Sequence, residues 1–217
     1  MEELNSVQKI AIWVLPLVFA ITVHEVAHGW VAKRLGDPTA MMLGRLTLNP
    51  IKHIDPMGTL IIPGLLLWLG GFVFGWAKPV PVTWENLRHP RRDMAWVALA
   101  GPVANLLMAI LWAGVMRIGI AVYDSSAWLS VPLFHMGDAG IKINLLLMLL
   151  NLLPIPPLDG GRILGALLPG PASYRLSRLE PYGFFILLFL MMTHVLNWVM
   201  TPPLEALTAI LYVVAGL

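Results

Sequence analysis

His24-Glu25-Val26-Ala27-His28 carries the residue types of a hydrolytic metal site at helical spacing. Histidines at i and i+4 share one face of a helix, so both imidazoles reach a single Zn²⁺, and Glu25 lies beside the metal's open position as a general base. Two histidines leave a catalytic zinc short of its usual three protein ligands. The chain has no cysteine, which excludes thiolate ligands and disulfides and leaves His, Asp or Glu to complete the set. Asp159 is the best candidate. It lies in Asn151-Leu-Leu-Pro-Ile-Pro-Pro-Leu-Asp159-Gly-Gly161, where Pro154, Pro156 and Pro157 break a helix and Gly160 and Gly161 permit close backbone approach. The alternative for Asp159 is a plain cap on a helix beginning near Leu158.

The elements that must position these residues are membrane elements. HEVAH sits inside an apolar run from Ile10 to Ala32. The whole chain is 58% hydrophobic and 12% charged, against about 25% charged for a soluble domain. Its mean hydropathy is +0.78. The 217 residues therefore read as one all-α integral membrane domain, a polytopic helical bundle with no soluble module. A bilayer takes roughly 20 residues to cross, and candidate segments are 10–32, 57–76, 94–122, 139–168, 182–200 and 203–217. The first is too long for a signal peptide and is followed by Lys33-Arg34, so it stays as a spanning helix. The catalytic core is about 10–168, with accessory helices over 182–217. An ionisable group at the helix centre costs about 2.5 kcal/mol or more and marks function. His24, Glu25, His28 and Asp159 meet that description, whereas His194 lacks a partner at useful spacing and reads as interhelical or interfacial. His53 and His89 read as interfacial, His135 as a loop residue, the Trp residues as headgroup anchors, and Arg162 as snorkelling or locally paired. The net charge of +2, with basic residues gathered in two loops, indicates topology and not nucleic-acid binding.

Axial arithmetic constrains the topology. If the Asp159 segment ran antiparallel to the HEVAH segment, the two motifs would be separated by ~12 Å along the axis at 1.5 Å per residue. One metal with ~2 Å bonds could hardly bridge that. The two segments should therefore run parallel, with 94–122 and 139–168 as the pair of crossings after the first helix, the Asp159 segment being the second of them, and 57–76 entering and leaving on one side. The basic residues between Lys33 and Arg92 and between Arg162 and Arg178 then share one compartment, which the positive-inside rule makes cytosolic. The N-terminus is placed outside and the metal nearer the cytosolic leaflet. Between HEVAH and the central helix, Arg45-Leu-Thr-Leu alternates like a strand, and Lys78-Pro-Val-Pro-Val is kept extended by its prolines. A short membrane-associated β element is expected there, able to take up an unwound substrate by strand addition.

With HEVAH at 24–28 and Asn-x-x-Pro-x-Pro-Pro-Leu-Asp-Gly at 151–160, the chain resembles the site-2 protease family of intramembrane zinc metalloproteases. Gly44-Arg-Leu-Thr-Leu-Asn-Pro50, Gly75-Trp-Ala-Lys-Pro-Val-Pro-Val82 and Ala100-Gly-Pro-Val-Ala-Asn105 look like the family's intervening landmarks. The resemblance implies one zinc per chain held by His24, His28 and Asp159, with Glu25 as the base. Asn105 and Asn151 match positions that the family places near the active site, where either could stabilise the oxyanion or hold substrate. The implied substrates are transmembrane proteins, cleaved within or near the bilayer of a cell membrane that the enzyme crosses several times. Many relatives carry a PDZ domain before the Asp159 segment, and residues 123–138 leave no room for one. A membrane zinc transporter or sensor would not need Glu25 next to a ligand, and a catalytically idle scaffold would not need the full ligand set.

Overall fold

Four helices are long and apolar enough to cross a membrane, three of them meeting in a close-packed centre. The computed structural model describes residues 6–68, 75 and 77–217. Helix α1 (Ser6–Arg34) is followed by α2 (Thr39–Met42), a 3-10 turn at Pro50–His53, a π-helical turn at Pro56–Ile61 that runs into α3 (Ile62–Trp68), and a 3-10 turn at Trp84–Asn86. Then come α4 (Pro90–Ala121), α5 (Ala127–Asn151), α6 (Asp159–Leu167), α7 (Gly170–Ser177), α8 (Gly183–Met192) and α9 (Val195–Ala215). Among the described residues the helices long and apolar enough to cross are α1, α4, α5 and α9.

Helix α4 is the axis of the bundle. Its Val97 meets His28 and its Asn105 meets Ala20 and His24, so it runs antiparallel to α1. Its Asn105 also meets Asn144 and its Met116 meets Gly137, so it runs antiparallel to α5 as well. Helices α1 and α5 are therefore parallel, the relation that the axial arithmetic requires. The α4–α5 seam is close because it is built from small residues. A Cβ on Gly137 would come 2.5 Å from the Met116 Cβ, and one on Gly140 would come 2.2 Å from the Trp112 ring. Between helices in lipid there is no hydrophobic drive, so such close packing supplies the attraction. Ala109, Ala113, Met116, Ile141, Leu145 and Met148 form the buried centre, which Leu211 and Ala215 of α9 complete. Exposed apolar side chains such as Trp13, Leu111, Phe185 and Trp198 face outward, as a lipid-solvated surface requires.

Several boundaries differ from the sequence-based expectation. The 139–168 segment is two helices, because the proline-rich turn after Asn151 stops α5 and α6 starts afresh at Asp159. Helix α5 begins earlier, at Ala127, and takes in His135, which is therefore not in a loop. The C-terminal segments divide at Thr193-His194, where His194 adopts a left-handed conformation, and α9 runs through Pro202 and Pro203 instead of breaking there. Of the 57–76 segment, residues 69–74 and 76 lie outside the described residues. Its two flanks nevertheless meet, the Lys78 N–H donating to the His53 carbonyl at 2.9 Å.

The expected β element is not found: among the described residues there is no strand. The physical reason lies in the competing partners. Pro79 and Pro81 have no N–H to give a ladder. The carbonyls of Lys78 and Pro79 accept from the Arg45 guanidinium, at 2.9 and 3.3 Å, and not from a neighbouring backbone. Residues 78–82 form an extended strap held by side chains.

Single cysteines introduced as Ile54→Cys and Glu85→Cys should be labelled by a membrane-impermeant thiol reagent from the same side, and Ser125→Cys from the other. Labelling of 54 and 85 from opposite sides would overturn the parallel arrangement.

Candidate metal centre

The site is assembled from α1, α4 and the start of α6. His24 and His28 lie one turn apart on the face of α1 that packs on α4, and both are buried. Gly101 of α4 makes the contact possible. A Cβ there would lie 2.4 Å from His28 Nε2 and 2.6 Å from His24 Nε2.

The hydrogen bonds behind the two imidazoles fix their tautomers. His28 Nδ1 donates to the Val97 carbonyl at 2.7 Å, an acceptor that cannot reverse its role. For His24 the direction is set by a relay. Asn144 Nδ2 donates to the Gly140 carbonyl at 2.8 Å, which turns its Oδ1 towards Asn105. Asn105 Nδ2 donates to that oxygen at 3.0 Å and to the Ala20 carbonyl at 3.3 Å, which turns the Asn105 Oδ1 towards His24 Nδ1 at 2.6 Å. Both Nδ1 atoms therefore carry hydrogen, and both Nε2 atoms of the neutral rings present a bare lone pair, 2.9 Å apart.

Asp159 points its carboxylate at the same place. Its Oδ2 lies 3.3 Å from His24 Nε2 and 3.2 Å from His28 Nε2, and it is buried without a hydrogen bond. Gly160 and Gly161 let the proline turn fold back on α6. A Cβ on Gly160 would be 2.3 Å from the Leu152 and Leu153 carbonyls, and one on Gly161 would be 2.5 Å from Pro156 N. Two lone pairs and a carboxylate converging at these distances repel one another unless a cation sits between them. A tetrahedral ion with bonds of about 2.0–2.1 Å spaces its ligand atoms by roughly 3.3 Å, so the donor set fits Zn²⁺. The second-shell bonds to Asn105 and Val97 are those a ligating histidine uses to hold its tautomer.

Glu25 is held from outside the bundle. Its Oε2 accepts the Val80 N–H at 2.6 Å. The strap that carries Val80 is tied at both ends. Arg45 holds the Lys78 and Pro79 carbonyls, and Asp37 accepts from Thr83 N at 2.7 Å and from Asn86 Nδ2 at 3.0 Å. Asp37 also caps Thr39 through its N–H and hydroxyl. Gly36, with φ of +115°, turns the chain out of α1 and allows this return. Gly29, one turn past Glu25, keeps space for the strap, since a Cβ there would be 2.9 Å from Val80 Cγ1.

The structure thus brings His24, His28 and Asp159 together, with Glu25 in the adjoining strap contact and Asn105 behind His24. The Asn105 amide is spent at both ends, so it reaches the site through His24 and not as an open donor. Asn151 Nδ2 donates to Leu147 of its own helix at 2.9 Å and makes no contact with the three ligating side chains. His53 is buried and bonded to the Thr47 carbonyl at 2.9 Å. Sequence reasoning missed Asn144, Gly101, Asp37 and Arg45. Asn144 left a signal as an amide within an apolar helix, and Gly101 and Arg45 lie inside the segments that look like family landmarks.

Comparison with known proteins agrees with this geometry. The family model described as peptidase family M50 matches residues 12–124 and 116–193. YwhC of Bacillus subtilis (strain 168), whose name assigns it provisionally to the zinc metalloproteases, is 41% identical over 194 residues, 89% of this chain and 85% of its own length. Rip2 of Mycolicibacterium smegmatis, provisionally named in the same way, is 37% identical over 185 residues, 83% of this chain and 66% of its own. The protease RseP of Yersinia pestis is 31% identical over 109 residues, 48% of this chain and 24% of its own. No solved structure matches.

Replacing Gly101 with Ala should displace both imidazoles and abolish zinc retention, and Asn105→Ala should weaken zinc affinity by about 10–100-fold. Metal content per purified chain under a competing chelator measures both, and full occupancy in either variant would contradict the arrangement. Burial raises the Asp37 pKa, but the hydrogen bonds from Thr39, Asn86 and Thr83 outweigh it and hold the carboxyl below its ordinary range. Because the folded value is lowered, its stabilisation is complete above the ordinary carboxylate range and is lost as pH falls through the lowered value. Hydrogen-exchange protection of residues 78–86 should drop over that acid window in wild type, and Asp37→Asn should start low and show no such step.

Proposed function

The chain belongs to peptidase family M50, the site-2 family of intramembrane zinc metalloproteases, and on that premise we propose that it hydrolyses peptide bonds of membrane-spanning proteins within or near the bilayer. The observation that carries this reading is the convergence of His24 Nε2, His28 Nε2 and Asp159 Oδ2 beside Glu25, with both histidines on a helix long and apolar enough to cross a membrane.

His24, His28 and Asp159 hold the ion, and Asn105 and Val97 keep both rings presenting Nε2. When bound, zinc supplies Lewis acidity, acidifying water and polarising the scissile carbonyl. Glu25 takes the proton of the attacking water and returns it to the leaving amine. Its carboxylate is kept in place by the Val80 N–H, so little reorientation is needed when the proton moves. The substrate must be extended for attack. The Val80 carbonyl and the Val82 N–H of the strap have no partner among the described residues and are available to pair with such a backbone. The basic residues on the strap side of the bundle put that side, and the site, towards the cytosol.

Zinc content and cleavage of a single-span reporter in liposomes, measured together, test this reading. Glu25→Gln should keep one zinc per chain and lose at least about 100-fold in turnover, the lower range for general-base removal. Substantial turnover by zinc-loaded Glu25→Gln would remove Glu25 as the base. A zinc-loaded wild type that cleaves nothing would remove the protease reading.

A further inference from the structure

A cavity of about 440 Å³ opens between the strap and helices α6 and α7, within the range of ligand pockets. We infer that this cavity is a peptide subsite in which Arg162 receives a carboxylate side chain of the substrate. The inference rests on the protease reading and concerns the selectivity of that same site.

The cavity continues the reaction site directly. Val80, whose N–H holds Glu25, lines one wall, and Gly161 and Arg162, two and three residues beyond Asp159, line the opposite wall. Three residues of helix advance ~4.5 Å along the axis, and an extended peptide advances ~3.3 Å per residue. An Arg162 guanidinium is therefore within reach of side chains a few residues from a bond positioned at Asp159 and Glu25.

The chemistry of the lining selects the ligand. Arg162 is exposed and lines the cavity, and its guanidinium has no hydrogen bond or ion pair to any described residue. Its basic neighbours are engaged elsewhere: Arg45 holds the strap carbonyls, and Arg91 donates to the Ala166 carbonyl at 2.9 Å. Glu180 also lines the cavity but lies beyond ion-pair distance of Arg162. The cavity thus presents one free guanidinium beside the reaction site and one carboxylate apart from it. A guanidinium pairs with a carboxylate through two parallel hydrogen bonds. Pro79, Pro81, Pro156 and Pro157 stiffen the walls, so Arg162 faces a preformed slot.

The test uses the full-length, zinc-loaded protein with reporters identical except for Asp or Lys placed two to four residues on either side of the scissile bond. At one of these positions wild type should show a kcat/KM ratio for Asp over Lys of about tenfold or more, as a hydrogen bond to a charged group provides. Arg162→Glu should invert that ratio, and Arg162→Lys should retain its sign. The ratio is taken within each variant, so altered folding or overall rate does not enter. Fluorescence anisotropy of the same peptides on zinc-loaded Glu25→Gln should follow the same order, with inversion on adding Arg162→Glu. Cleavage of Asp and Lys reporters at equal rates would overturn the subsite and leave the protease reading standing. If wild type cleaves no reporter, the protease reading fails and binding decides the subsite. An Asp preference that Arg162→Glu inverts would uphold it as a peptide site, and equal binding would overturn it.

Discussion

Two imidazoles held with their unprotonated nitrogens 2.9 Å apart, inside a helix meant for lipid, are the constraint that the rest of the molecule answers. Each ring needs an acceptor for its Nδ1 hydrogen, and in a hydrocarbon environment an unanswered polar group costs several kcal/mol. A neighbouring helix has to bring a carbonyl and an amide to the right height. Helix α4 does so with Val97 and Asn105, which fixes both its direction and its register against α1. Asn105 in turn has to be oriented, and Asn144 of α5 does this while bonded to its own Gly140 carbonyl. The tautomer of His24 is thus set three bonds away, at a backbone oxygen.

That polar chain dictates the packing. Asn105 cannot touch both α1 and α5 unless α4 lies close to each, and closeness requires small residues at the contacts. Gly101 supplies it on the histidine side, and Ala109, Ala113, Gly137 and Gly140 supply it on the other. In lipid, where burial of apolar surface gives no preference for one helix neighbour over another, the hydrogen bonds and the small-residue seam together specify the arrangement. A larger side chain anywhere along this line would push apart groups that have no water to fall back on.

Much of the site was legible because ionisable residues in apolar helices are costly and therefore conspicuous. HEVAH and Asp159 stood out on that ground, and ordinary helix geometry then required α1 and α5 to be parallel. The errors have physical reasons. Residues 123–138 read as a loop because Asp124, Ser125, Ser126 and Asp138 are polar, yet α5 incorporates Asp138 by pairing it with Lys142 and with the Tyr212 hydroxyl of α9. The break at Thr193-His194 has no proline or glycine to announce it, whereas the Pro202-Pro203 pair that announces a break is tolerated in α9. Arg45-Leu-Thr-Leu and Lys78-Pro-Val-Pro-Val read as a ladder, but a buried guanidinium took the carbonyls first. Alternation reports which face is apolar and not who accepts the hydrogen bond. Asn144 is inconspicuous in the sequence because an uncharged amide costs less in an apolar helix than a charge, yet it orients Asn105 without carrying one.

The three candidate ligands and the proposed base, Glu25, are secured by different parts of the chain. Helices α1, α4 and α6 hold the cluster of His24, His28 and Asp159. Glu25 instead depends on a strap outside the long apolar helices, and the strap depends on two buried charges, Arg45, which donates to the Lys78 and Pro79 carbonyls, and Asp37, which accepts the Thr83 N–H together with the Thr39 N–H and hydroxyl and the Asn86 amide. Removing either charge leaves strap carbonyls or amides without these partners, so the strap, and Glu25 with it, can be displaced while His24, His28 and Asp159 stay in place. In extended backbone the N–H and C=O of one residue, and those of the residue two further on, face the same edge, so the Val80 carbonyl and the Val82 N–H lie on the edge that Glu25 meets through the Val80 N–H. A substrate strand pairing with them would therefore lie alongside Glu25 and not on the far edge of the strap.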